Sequence, residues 1–173
     1  WDLSGATNLN RMFYGCPELT YLDVSDWETG NVTDMMCLFY DCVKLNNLDV
    51  SDWDVSNVTD MRSMFQGCHA LASLDVDEWD VGNVVSFELM FSCTYGEREG
   101  MMLTEINLDE WDTSSATSMR DMFYGCAELT ELDLSKWDVS NVTDMHHMFT
   151  CCKKIETILP RGLMGGMILH ALI

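Results

Sequence analysis

Positive charge is what this chain has least of. Nine Lys and Arg face 29 Asp and Glu, beside four His, and the formal net charge is −20. So few cations cannot build a basic patch, which makes nucleic acid and anionic membrane surfaces poor partners. A basic protein surface or divalent cations suit the balance better. No apolar run is long enough to span a bilayer, and no signal peptide or tag stands out. No two cysteines form a Cys-x-x-Cys pair, so zinc lacks its usual nucleus. No glycine-rich phosphate loop is present, and no Ser-His-Asp or Cys-His order stands out. The chain therefore reads as non-catalytic, with no cofactor and no metal.

What is present is a beat of tryptophan. Trp1, Trp27, Trp53, Trp79, Trp111 and Trp137 are separated by 26 residues in four of five gaps, and by 32 in the fourth. A fixed period of this size marks stacked repeats. Residues 1–158 read as one domain of about six repeats. An insertion falls near 92–102, and 159–173 form a tail or cap. The chain opens within a repeat and without an initiator Met. It reads as a piece of a longer protein, with any export signal outside it.

Two apolar periods alternate within each repeat. Met61, Met64, Phe65 and Cys68 fall at i, i+3, i+4 and i+7, the spacing of one helix face. Met35, Leu38, Phe39 and Cys42 repeat it, as do Met119, Met122, Phe123 and Cys126. Leu74, Asp75 and Val76 alternate as a half-buried strand, in a column with Leu22-Asp23-Val24, Leu48-Asp49-Val50, Ile106-Asn107-Leu108 and Leu132-Asp133-Leu134. Thr33, Thr59 and Thr143 suit helix N-caps, and Gly15, Gly67 and Gly125 suit helix ends. The pattern predicts an α/β repeat: a right-handed solenoid with parallel strands on one face and short helices on the other. Helices need roughly 8–10 Å between axes and strands about 4.8 Å. That mismatch predicts a bend with the strands on the concave side.

The other columns have readings of their own. Cys16, Cys42, Cys68, Cys126 and Cys152 are locked to the repeat, so buried thiols are expected rather than disulfides, helix-side neighbours being too far apart. The Trp column is expected in the core. Asn31, Asn57 and Asn141 match the glycosylation sequon. A structural Asn in a turn is the preferred reading. Asp23, Asp49, Asp75 and Asp133 point away from the core and make the candidate protein-binding face. A second column, Asp54, Asp80, Asp112 and Asp138, follows each Trp. Turn capping or plain solvation is the bland account of both.

The Leu-x-x-Leu-Asp-Val-Ser-x-Trp-Asp-x-Ser-x-Val-Thr-Asp-Met-x-x-Met-Phe-x-x-Cys pattern, clearest over 19–42, 45–68 and 129–152, resembles the BspA-like leucine-rich-repeat surface proteins of bacteria. The resemblance implies a leucine-rich-repeat-like solenoid in an exported or surface-attached protein. It also implies adhesion to a host or neighbouring-cell protein. Taken together, the expectation is a surface or secreted recognition module with no membrane insertion in this segment. An intracellular repeat scaffold in the cytoplasm is the alternative, and a carbohydrate-binding array the third reading.

Overall fold

The computed structural model describes residues 1–93, 100–155 and 157–158. The core of the insertion (94–99) and the predicted tail (159–173) lie outside the described residues. Repeats are numbered here from each Trp: 1–26, 27–52, 53–78, 79–110, 111–136 and 137–158.

No helix occurs among the described residues, and so none is long and apolar enough to cross a membrane. Extended structure is confined to β1 (Glu131–Leu132), paired in parallel with β2 (Thr157–Ile158), and to isolated bridges. The predicted α/β leucine-rich-repeat solenoid is therefore corrected. What stands in its place is a stack of coil-like repeats, each built from consecutive tight turns.

The Met-x-x-Met-Phe segment shows why it is not helical. In repeat 2, Leu38, Tyr40, Cys42 and Leu45 donate their N–H groups to the carbonyls of Met35, Cys37, Phe39 and Cys42. These are i→i−3 turn bonds, one register short of an α-helix. The N–H groups in between go elsewhere. Met35, Cys37, Phe39 and Asp41 donate to Asp60, Arg62, Met64 and Gln66 of the next repeat, at 3.0, 2.8, 2.9 and 2.7 Å. Those alternate donors serve the neighbouring repeat and cannot serve a helix. Each repeat also places one residue of this segment in the left-handed region. Arg11, Cys37, Ser63, Leu89, Asp121 and His147 have φ between 53° and 59°. A non-glycine residue there breaks helix propagation.

The threonines do not cap helices. Thr33 donates both its N–H (2.9 Å) and its Oγ1 hydroxyl (3.2 Å) to the carbonyl of Thr7, and Thr59 treats Thr33 likewise. Beside this ladder runs a column of parallel bridges joining Asn8, Asp34, Asp60, Ser86, Ser118 and Asp144. Gly67 and Gly125 do end the turn segment with positive φ. A Cβ on Gly125 would strike the Cys93 carbonyl of the preceding repeat.

Identical residues then stack. Trp27, Trp53, Trp79, Trp111 and Trp137 have ring centroids 5.6, 6.3, 6.4 and 6.4 Å apart, with their planes nearly parallel. Phe13, Phe39, Phe65, Phe91, Phe123 and Phe149 stack at 5.6, 5.8, 5.9, 5.5 and 5.7 Å. The buried core is continuous with both columns and takes in Leu48, Leu74, Val58, Met61 and Met64. Each interior indole finds a partner: Trp53, Trp79, Trp111 and Trp137 donate Nε1–H to the carbonyls of Val24, Val50, Val76 and Leu108 at 2.9–3.0 Å. Without helices, the predicted cause of curvature disappears. The wider ring spacing lies on the Trp side.

Ser63→Gly separates the turn from the helix. Inside a helix glycine costs about 1 kcal/mol. At φ +55° it relieves a left-handed penalty of about 1–2 kcal/mol, part of which the greater freedom of the unfolded chain cancels. Urea unfolding should therefore show Ser63→Gly stabilised by up to about 1 kcal/mol. A loss of that size would refute the turn assignment.

Candidate functional site

The Leu-Asp-Val segments alternate as their sequence suggests. Leu48, Val50, Leu74, Val76, Leu132 and Leu134 are buried, and Asp23, Asp49, Asp75 and Asp133 are exposed. Each of these aspartates has a local task. Its Oδ1 accepts the N–H of the residue two positions on: Ser25, Ser51, Asp77 and Ser135 in turn. The Ser25 and Ser51 hydroxyls add bonds of 2.8 and 2.7 Å. These are Asx turns that bend the chain toward the next Trp. The Trp-Asp column does the same, with Asp54, Asp80, Asp112 and Asp138 holding Ser56, Gly82, Ser114 and Ser140.

Donors that favour the ionised carboxylate lower its pKa. The Ser51 hydroxyl holds Asp49 below the ordinary aspartate range, with the Ser51 N–H second, and Ser56 acts likewise on Asp54. For Asp112 and Asp138 the backbone N–H of Ser114 and Ser140 is the larger cause.

The structure brings two of the four predicted residues into one place. A groove of about 670 Å³ crosses repeats 3, 4 and 5 on this face. It is lined by Ser73, Leu74, Asp75 and Asp77, by Glu105, Ile106 and Asn107, and by Glu131, Leu132 and Asp133. Asp23 and Asp49 lie outside it, lower on the same column. Among the described residues, five carboxylates line the groove and no Lys, Arg or His does. Leu74, Ile106 and Leu132 are buried beneath it. Sequence reasoning missed Asp77, Glu105 and Glu131. The column of the two glutamates holds Tyr21, Asn47 and Ser73 in the earlier repeats, so no repeated acid marked it. The surviving signal was the departure itself.

Backbone pairing along this column is intermittent, and beside the groove the Thr130 N–H donates to the Thr104 carbonyl at 3.2 Å, as Asn46 does to Thr20. Tyr21 bridges Asn47, and β1 pairs with β2. Among the described residues no backbone hydrogen bond joins 73–75 to 105–107, or 105–107 to 131–133. The Asn107 amide joins repeats 4 and 3 here, donating to Asp77 Oδ2 at 3.0 Å.

Other candidate groups are structural. Cys42, Cys68, Cys126 and Cys152 donate Sγ–H to the carbonyls of Phe13, Phe39, Phe91 and Phe123 at 3.1–3.3 Å. All eight thiols are free. The helix-spacing argument against disulfides no longer applies, and the thiols are instead committed to those carbonyls. Burial pushes Cys42 up to about 11, Cys93 and Cys152 up to about 12, and Cys68 and Cys126 well above the ordinary thiol value. The amides of Asn31, Asn57, Asn83 and Asn141 donate to Ser4, Gly30, Ser56 and Ser114 carbonyls of the preceding repeat. Among the described residues no three His, Cys, Asp or Glu converge to hold a metal ion.

A family described as "Mycoplasma protein of unknown function, DUF285" matches residues 1–100 and 97–160. No curated protein and no solved structure matches the chain. Together with the absence of helices among the described residues, the family match corrects the resemblance to BspA-like leucine-rich-repeat surface proteins, and the leucine-rich-repeat label goes with it.

Two measurements follow from these columns. In the native protein a thiol reagent should label exposed Cys151 first and half-buried Cys16 more slowly, and denaturant should release all eight. Equal labelling of Cys68 and Cys126 before denaturation would contradict their burial. The second measurement is the acid limb of stability. A lowered carboxylate pKa contributes stability above the ordinary aspartate value, and that contribution is lost as pH falls through the folded value. Replacing Ser51 and Ser56 with Ala removes the first-named donors to Asp49 and Asp54. The variant should be less stable at pH 7 and lose less on acidification to pH 3 than the parent. Parallel melting-temperature curves would show that these bonds carry no pH dependence.

Proposed function

Since the chain belongs to the family of Mycoplasma proteins of unknown function that it matches across residues 1–160, we propose a role read from its surface: a non-catalytic protein-recognition module. Its acidic Leu-Asp-Val face meets a basic surface on a host or neighbouring-cell protein, in a surface-exposed or secreted setting. The observation that carries this reading is the groove lined, among the described residues, by five carboxylates and no cation. Like charge over a concave surface raises the local potential and steers cationic partners.

A second reading has one observation in its favour. Eight free thiols suit a reducing compartment, which supports an intracellular scaffold. The full reading frame decides between the settings: an export signal sinks the scaffold, and an intact frame without one sinks the surface reading. A carbohydrate platform has less support, because Trp27, Trp53, Trp79, Trp111 and Trp137 are buried.

The test neutralises charge without removing turns. Asn107 already fills the aspartate column, its Oδ1 accepting the Asp109 N–H, so Asp→Asn keeps the cap. Neutralising Asp23, Asp49, Asp75 and Asp133 together should weaken binding to poly-L-lysine at low salt by about tenfold. The same change at Asp54, Asp80, Asp112 and Asp138 removes equal charge and should cost less than about threefold. Equal losses would mean that only net charge matters, and the face would lose its role.

A further inference from the structure

We propose that the outer face of the first repeat receives the last repeat of a second copy, so that chains stack head to tail. The proposal is independent of the acidic groove. It stands on how the two ends of the stack complement each other.

The backbone ladder has a direction. Within the stack, alternate N–H groups of one repeat reach carbonyls of the next. In the first repeat the equivalent carbonyls are those of Asn8, Asn10, Met12 and Tyr14, and none accepts a backbone N–H among the described residues. In the last repeat the equivalent donors are the N–H groups of Met145, His147, Phe149 and Cys151, and none has a backbone acceptor there. One end lacks donors and the other lacks acceptors, in the same alternate order. Backbone groups taken out of water need such partners.

Side-chain bonds run the opposite way and resume across the same junction. Each interior indole reaches the carbonyl three residues before the neighbouring Trp, as Trp137 does at Leu108. Trp1 of the second copy would find that carbonyl at Leu134. Cys152 donates to Phe123, and Cys16 of the second copy would meet Phe149 in the same register.

The first repeat also presents the wrong surface for a free end. Terminal repeats that face solvent carry a polar outer face. Here Trp1 is 76% exposed, whereas Trp27 and the later indoles are buried. Trp1 stacks on Trp27 and Phe13, which leaves its outer ring face to Trp137 of the copy. Charge agrees with the register. Lys44 pairs with Glu18 at 2.7 Å, and Lys154 with Glu128, in one column where each Lys lies one repeat beyond its Glu. Head-to-tail stacking sets Glu18 of the second copy beside Lys154 and continues the alternation. The net charge of −20 on each copy opposes the contact, and physiological salt screens that repulsion beyond about 8 Å.

Unlike ends make a heterologous contact, which does not close on itself. Sedimentation equilibrium of the whole chain in physiological salt should therefore show a mass that climbs past the dimer as concentration rises. Acrylamide quenching of Trp1 should fall in step. Lys154→Glu alone and Glu18→Lys alone each set like charges across the junction and should weaken association at least about fivefold. Both side chains are exposed, so folding is spared. A mixture of the two variants restores opposite charges at every junction and should regain the parent's association. A chain that stays monomeric throughout would overturn the proposal, as would assembly that stops at a closed dimer. Association that neither reversal weakens, or that mixing fails to restore, would place the contact on another surface and overturn it too.

Discussion

The structure depends on how each repeat divides its backbone N–H groups. Alternate donors in the turn segment close i→i−3 turns, and the others reach forward to the next repeat. Neither set satisfies the backbone alone. An isolated repeat would leave half of these donors without protein partners, and buried unpaired donors are costly. The same division requires a left-handed residue in every repeat, which appears at Arg11, Cys37, Ser63, Leu89, Asp121 and His147. It also holds neighbours closer than packed helices allow. The consequence is strict columnar order: Trp meets Trp, Phe meets Phe, and Thr bonds Thr one repeat away.

Columnar order is favourable for apolar residues and unfavourable for acidic ones. Stacked rings exclude water from both faces. Stacked carboxylates repel. The chain answers with local donors. One oxygen of each Asp is engaged by the N–H two residues on, often joined by a serine hydroxyl, so charge and turn are carried by the same side chain. Net charge on the face can therefore be removed by Asn, as Asn107 shows, but not by Ala without losing the turn. The repulsion that remains is relieved by any cation that binds along the column.

Much of this was legible in the sequence, and the reason for the rest is physical. The 26-residue beat exposed the repeats, and the Leu-Asp-Val alternation placed Leu inside and Asp outside. The Met-x-x-Met-Phe spacing misled because a chain of i→i−3 turns also turns its first, fourth and fifth residues inward. Helix and turn differ in where Cys37 N–H goes, and its acceptor, Arg62 O, lies 25 residues away. No local pattern records that choice. Thr33 looked like a cap for the same reason: its true acceptor sits in the previous repeat. At the site, Asp75 and Asp133 were found through repetition. Glu105 and Glu131 were missed because they break it.

That last point bears on how an array of near-identical units acquires one particular site. Perfect repetition offers every surface feature many times over and distinguishes none. The 32-residue repeat breaks the symmetry while leaving the core in register: Trp79 still stacks on Trp111 at 6.4 Å and Phe91 on Phe123 at 5.5 Å. The extra length is accommodated between the Phe and Leu columns, where the sequence departs most from the repeat. Beyond it the Leu-Asp-Val segment becomes Ile106-Asn107-Leu108, preceded by Glu105, while the Thr130 N–H still donates to the Thr104 carbonyl as Asn46 does to Thr20. The groove lies over this unit. Core columns fix the spacing and the irregular repeat fixes the place, so the position of the groove on the stack follows from a single departure that the aromatic ladders tolerate.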